Sequence, residues 1–211
     1  MLKTTAFFLL FALGASADIL PAFSIQVDTT SILGTTGNLD FQFNPGNFGA
    51  DSAVVTIDNF SSTGTLAGPP MLIGAVTGAL PGAVTIHNNP GLNDYTEGFT
   101  FGNSLLFRVS FSGPAVASPS GTSSAGSSFA FSLFNSDFSA ALLTSDQDGI
   151  LVREDVDTLG KITTSNFGAG GSTSVSAVPE PAGAGLAVIG LAAVGIAIRR
   201  LRAVHQAGAG L

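Results

Sequence analysis

The densest set of oxygen ligands in the chain lies between positions 146 and 157. Asp146-x-Asp148 and Glu154-Asp155-x-Asp157 supply five carboxylates there. Carboxylates suit a hard cation, and Ca²⁺ is the ion this run would take. The run departs from an EF-hand loop, which needs a third ligand two residues after Asp148 and then a glycine. Asp148-Gly149 also reads as a turn. A second chemistry, glycoside hydrolysis, uses two carboxyl groups across one sugar. Asp94 with Glu97, or the acidic run itself, has the residue types for it. Such sites seat sugars on aromatic rings, yet the chain has no Trp and Tyr95 is its one Tyr. Tyr95 and Phe99, close to the Asn88–Asp94 loop, are the candidate glycan contacts.

Other chemistries lack their residues. A Ser/His/Asp hydrolase needs a histidine beside the nucleophile. Between positions 18 and 177 there is one, His87, before Asn88-Asn89-Pro90-Gly91, and it reads as an exposed residue at a loop edge. No Gly-x-Ser-x-Gly elbow occurs. With no Cys there is no thiolate nucleophile, no disulfide, and no thiolate to build a zinc site with that lone histidine. No phosphate-binding or dinucleotide fingerprint is present. A net charge of −7 argues against nucleic acid as a partner. The sequence therefore reads as a non-enzyme without cofactor or metal, apart from the Ca²⁺ candidate.

The elements that would position these groups read almost entirely as strands. Phe23-Ser24-Ile25-Gln26-Val27 and Leu39-Asp40-Phe41-Gln42-Phe43 alternate apolar and polar residues. Leu105, Phe107, Val109 and Phe111 keep the same period of two, as do Phe129, Phe131 and Leu133. This is the pattern of strands with one buried face. Fourteen of the 17 phenylalanines fall between 18 and 177, so Phe is the expected core filler. Turn signals such as Asn44-Pro45-Gly46, Gly68-Pro69-Pro70 and Asn89-Pro90-Gly91 separate the runs. Eight to ten short strands at this spacing predict an all-β, jelly-roll-like β-sandwich. Residues 140–154 read as a hairpin across Asp148-Gly149, and 112–128 as a flexible loop.

Both ends read as addresses. Lys3, the apolar run Ala6–Leu13, and Ala15 and Ala17 before Asp18 make a secretory signal peptide over 1–17, cleaved before Asp18. The Sec machinery and signal peptidase are its partners. At the other end, Val178-Pro179-Glu180-Pro181 precedes Ala182–Ile198, which has no charged or polar side chain. At ~1.5 Å per residue this run is about 25 Å long, enough for one membrane helix with snorkelling at its end. Arg199, Arg200 and Arg202 follow, and hold that end in the cytoplasm by the positive-inside rule. Residues 203–211 are a short cytoplasmic tail, and 168–177 a Gly/Ser/Thr linker. The predicted ectodomain spans 18–167. With the linker it carries 13 acidic and three basic residues, so it is more acidic than the chain as a whole. The mean hydropathy of +0.47 comes partly from the two apolar tags.

The order Pro179-Glu180-Pro181, Ala/Gly-rich helix, basic cluster resembles the PEP-CTERM sorting signal, over residues 178–202. That resemblance implies an exosortase-type membrane protease as partner. It also implies a Gram-negative bacterium that makes extracellular polysaccharide. The prolines fit the role, because they resist a backward extension of the helix and keep the motif extended. The central region, through Leu39–Gly46, Asn93-Asp94-Tyr95, Gly98–Gly102 and Ser128–Phe134, resembles ectodomains that carry this tail. No activity comes with that resemblance. The expectation is a non-catalytic exported protein of the cell surface or matrix; a carbohydrate-binding module is the alternative.

Overall fold

The structure, a computed structural model, describes residues 20–179, which form one compact unit. The signal residues Ala15, Ala17 and Asp18 lie outside the described residues. So do Glu180, Pro181, the helix 182–198 and Arg199, Arg200 and Arg202. Among the described residues no helix is long and apolar enough to cross a membrane.

The period-two runs form strands: β1 (Ala22–Asp28), β2 (Thr36–Pro45), β3 (Val54–Ser62), β4 (Thr65–Ile73), β5 (Val76–Gly78) and β6 (Val84–His87). They continue as β7 (Asp94–Thr100), β8 (Ser104–Ser112), β9 (Ser127–Asn135), β10 (Ile150–Val156), β11 (Ile162–Asn166) and β12 (Thr173–Ala177). One helical turn, α1 (Pro114–Ala117), lies between β8 and β9. The strands make two antiparallel sheets. The first has the order β12-β1-β8-β3-β6-β5 and the second β11-β10-β9-β2-β7-β4. The protein is thus all-β and sandwich-like.

One core fills the space between the sheets. Ile25, Phe107, Val109, Phe111, Val55 and Ile57 come from the first sheet, and Leu39, Phe41, Phe43, Phe129, Phe131 and Val152 from the second. All of these are buried, as their alternation predicts. Phe41, Phe107 and Phe131 meet at the centre, with ring centroids 4.8–5.2 Å apart in their three pairings. Phe thus does the packing that Trp and Tyr share elsewhere.

Four local readings are corrected. Gly68-Pro69-Pro70 does not separate two runs but lies within β4, where the pairing with β7 shifts register between Ala67 and Met71. Residues 140–154 do not form a hairpin. β10 pairs with β9 and β11, while Ala141 and Thr144 make only isolated bridges, to Phe134 and Gly168. The apolar face of β10 was better buried against Phe129 and Phe131 than against the short segment before its turn. Residues 112–128 are not a free loop. Pro114 starts α1, and Asp51 Oδ2 accepts the Ser120 N–H at 2.8 Å, while Ser123 Oγ accepts the Asp51 N–H at 3.1 Å. Finally, 168–177 is not a linker. Its second half is β12, paired with β1 from Phe23↔Ala177 to Val27↔Thr173. Thr173 and Val175 present their β-branched side chains to the core side, and β1 offers an otherwise open edge.

Candidate functional site

The groups with chemistry are sorted by the pleat of the second sheet. Residues directly opposite on neighbouring strands share a face. Phe41 lies opposite Tyr95 and Phe131, and all three are in the core. The intervening positions therefore point outward: Asn38, Asp40, Gln42 and Asn44 on β2, Asp94 and Thr96 on β7, and Ser132 and Phe134 on β9. This outer face is the candidate site.

A ladder of side-chain hydrogen bonds runs along it. Asn44 Nδ2 donates to Gln42 Oε1 at 3.3 Å, and Gln42 Nε2 donates to Asp40 Oδ2 at 3.1 Å. On the adjacent strand Thr96 Oγ1 donates to Asp94 Oδ1 at 3.1 Å. Asp40 and Asp94 sit diagonally, since Asp40 faces Thr96 and Asp94 faces Gln42. Despite their outward direction, Asp40 is only 6% exposed and Asp94 7%. Burial, and then the Asp94 carboxyl beside it, push the Asp40 carboxyl up to about 8, against the Gln42 bond. Asp40 therefore holds a proton well into the neutral range.

At one end of the ladder stands an aromatic pair. Phe134, opposite Asn38, packs on Phe138 with ring centroids 5.7 Å apart. Phe138 is 49% exposed and has φ +59°, so the loop presents its ring to solvent. Gly37 makes the close approach here possible. A Cβ at that position would collide with the Phe134 carbonyl and the Phe101 ring. Polar side chains beside an exposed ring are the components of a sugar-binding surface.

The sequence-derived sites fare differently. Tyr95 and Phe99 are 0% and 1% exposed and face the core, so neither is a glycan platform. The Tyr95 hydroxyl instead accepts the Leu80 N–H at 3.0 Å and donates to the Glu97 carboxylate. Burial raises the Glu97 carboxyl, opposed by that Tyr95 bond. Asp94 and Glu97 cannot flank one sugar, because Asp94 points outward and Glu97 pairs with Leu39 on the core face. Separation by an odd number of residues on a strand decides this.

The five carboxylates of the Ca²⁺ candidate are also dispersed. Asp146 Oδ2 accepts the Asp148 and Ile150 N–H groups at 3.1 and 3.2 Å. Asp157 Oδ1 accepts those of Leu159 and Lys161 at 2.8 and 2.9 Å. Both shape turns. Asp148 faces Arg153 at 4.0 Å, and Arg153 also stacks on Phe167. Glu154 points inward, 0% exposed, and Thr164 Oγ1 donates to it at 2.7 Å, while Asp155 points outward opposite Thr163. Burial pushes Glu154 up to about 7, against the Thr164 bond. Among the described residues no three His, Cys, Asp or Glu side chains converge as a metal set. His87 ends β6 as an exposed residue.

Of the sorting motif, Val178 and Pro179 are described. Val178 N–H donates to the Ala22 carbonyl at 2.9 Å, which extends the β12–β1 pairing by one bond, and Pro179 is exposed.

The fold and this face define the class: an antiparallel β-sandwich with one core and a polar, hydrogen-bonded outer sheet face. Comparison of the chain with family models, curated proteins and solved structures finds no match.

Proposed function

We propose that the chain is a non-catalytic exported protein of a bacterial cell surface or extracellular matrix. Its signal peptide 1–17 would pass through the Sec machinery and signal peptidase. Its PEP-CTERM-like tail, 178–202, would tether it by the helix 182–198 and be processed by an exosortase-type protease near Pro179-Glu180-Pro181. The supporting observation is where the folded unit begins and ends. β1 and β12 are neighbours, with Phe23 opposite Ala177. The described unit thus begins and ends on neighbouring strands of one sheet, and the exposed Pro179 directly follows Val178, the last residue bonded to β1 or its lead-in. The proposed architecture of this ectodomain is a jelly roll. The runs β1-β8-β3-β6 and β2-β7-β4 support it, being the interleaved order of two Greek keys. The dispersal of the carboxylates over two faces supports a non-catalytic role.

Deletion of 178–202 tests the sorting reading. The expected result is loss of surface display and of the processing step seen as a mass decrease. Surface display with unchanged mass would refute it.

A second reading, a carbohydrate-binding module, draws support from the exposed Phe138 beside the amide and carboxyl ladder of β2. Extracellular polysaccharide would be the ligand class. A glycan array probed with residues 18–179 would show binding that Phe138→Ala abolishes. Binding insensitive to Phe138 and Gln42 substitutions would place the ligand elsewhere.

A further inference from the structure

We propose that Asp40 and Asp94 form a divalent-cation site of the class taken by Ca²⁺, on the outer face of the second sheet. The first observation is the juxtaposition of two carboxyl groups, each more than nine-tenths buried, on adjacent central strands. The second is an underserved oxygen. Asp40 Oδ1 is buried and finds no donor beyond a proton shared with the Asp94 carboxyl. Its companion Oδ2 is satisfied by Gln42, and Asp94 Oδ1 by Thr96. A buried carboxylate oxygen left without a donor is costly unless a cation or a proton meets it.

Among the described residues no side chain supplies that cation. The basic residues described are Arg108, Arg153 and Lys161. Arg108 faces Asp58 at 3.7 Å in the first sheet, and Arg153 faces Asp148. Lys161 lies just before β11, three strands from β2. The groups around the pair are Gln42 on β2, Thr96 on β7 and Ser132 on β9, with Met71 and Ile73 on β4 beyond Asp94. On the far side of β9 stand Arg153 and Asp155 of β10. Thr96 and Ser132 bring neutral hydroxyl oxygens to the pair, which suit a hard cation, while Gln42 turns its Nε2 toward Asp40.

The spacing fits as well. Diagonal neighbours on antiparallel strands lie about 7–8 Å apart at Cα, so two carboxylates reaching toward each other can share one ion at about 2.4 Å. Ser132, directly opposite Asp40 and buried, offers a neutral hydroxyl, and water completes the shell. Two anionic ligands place the affinity in the weak range of extracellular modules, about 10⁻⁴–10⁻³ M. The site is separate from the Asp146–Asp157 run and does not depend on the sorting reading.

Calorimetric titration of the full chain in detergent with CaCl₂ tests this. One Ca²⁺ per chain is expected, with a melting temperature raised by about 5 °C at saturation. The heat should vary with the buffer, because the ion displaces the proton held at Asp40. Asp40→Asn and Asp94→Asn should each weaken binding at least tenfold. Both should melt, without Ca²⁺, at or above the wild-type temperature, since each replaces one carboxyl of a buried pair by a neutral amide. Asp146→Asn should keep the full response. Absence of binding heat up to about 10 mM Ca²⁺ would show that a shared proton alone satisfies the pair, and would overturn the proposal. An undiminished response in both Asp40→Asn and Asp94→Asn would overturn it equally.

Discussion

Phe41 of β2 and Phe107 of β8 meet edge to face across the two sheets, with ring centroids 5.2 Å apart and planes at 83°. This contact joins the sheets at their centre, and Phe131 closes it into a triangle. Both rings are fully buried, so neither can be trimmed without leaving a void. Phe107→Ala should cost about 3–5 kcal/mol in urea denaturation. Phe107→Leu, which keeps most of the volume, should cost less than half as much. Equal costs for the two would mean that the core relaxes around the site.

Tyr95→Phe removes a single oxygen. It leaves the buried Leu80 N–H without an acceptor and the Glu97 carboxyl without a donor. A loss of about 1–3 kcal/mol is expected. The effect should appear in stability and leave ligand binding at the outer face unchanged. If glycan binding fell while stability held, Tyr95 would have to reach the surface after all.

Glu154 and Asp40 set the expected response to pH. Both carboxyls are held above their ordinary values, by burial first, Glu154 to about 7 and Asp40 to about 8. In this window the folded state keeps protons that the unfolded state has lost. The stability these two carboxyls contribute is therefore full below about pH 4, falls as pH rises, and levels off about one pH unit above 8. For Glu154 alone the span is on the order of 3 kcal/mol. Glu154→Gln should flatten the part of the melting-temperature profile that ends near pH 7. An unchanged profile would remove Glu154 as its source.

Replacement of Thr173–Ala177 by a Gly/Ser sequence of equal length separates a strand from a tether. A tether would tolerate it. Loss of β12 exposes the edge of β1 and removes Val175, which packs against the core. The expected cost is about 2–4 kcal/mol, measured by chemical denaturation of residues 18–179.

Alternation alone was enough to read β1, β2, β8 and β9, though the twelve strands outnumber the eight to ten expected. Leu39, Phe41 and Phe43, or Leu105 through Phe111, specify both a strand and its buried face, because the pleat has a period of two. The same period already separates Asp94 from Glu97, three positions apart. It also marks Asn38, Asp40, Gln42 and Asn44 as one outward row. Local pattern was silent on β12. Its sequence, Thr-Ser-Val-Ser-Ala, carries little apolar weight and becomes a strand only because β1 presents an open edge.

What the sequence determined by itself was the all-β class, the Phe core and a composition without a thiol and with a net negative charge. These follow from residue types and from a period set by backbone geometry. The tertiary structure alone decided which carboxylates meet. Asp40 and Asp94 lie 54 positions apart, and only the antiparallel register of β2 with β7 sets them diagonally on one face. It also turned Tyr95 inward, and it brought Phe138 to the end of the polar row. Register is a property of paired strands, and no single strand carries it.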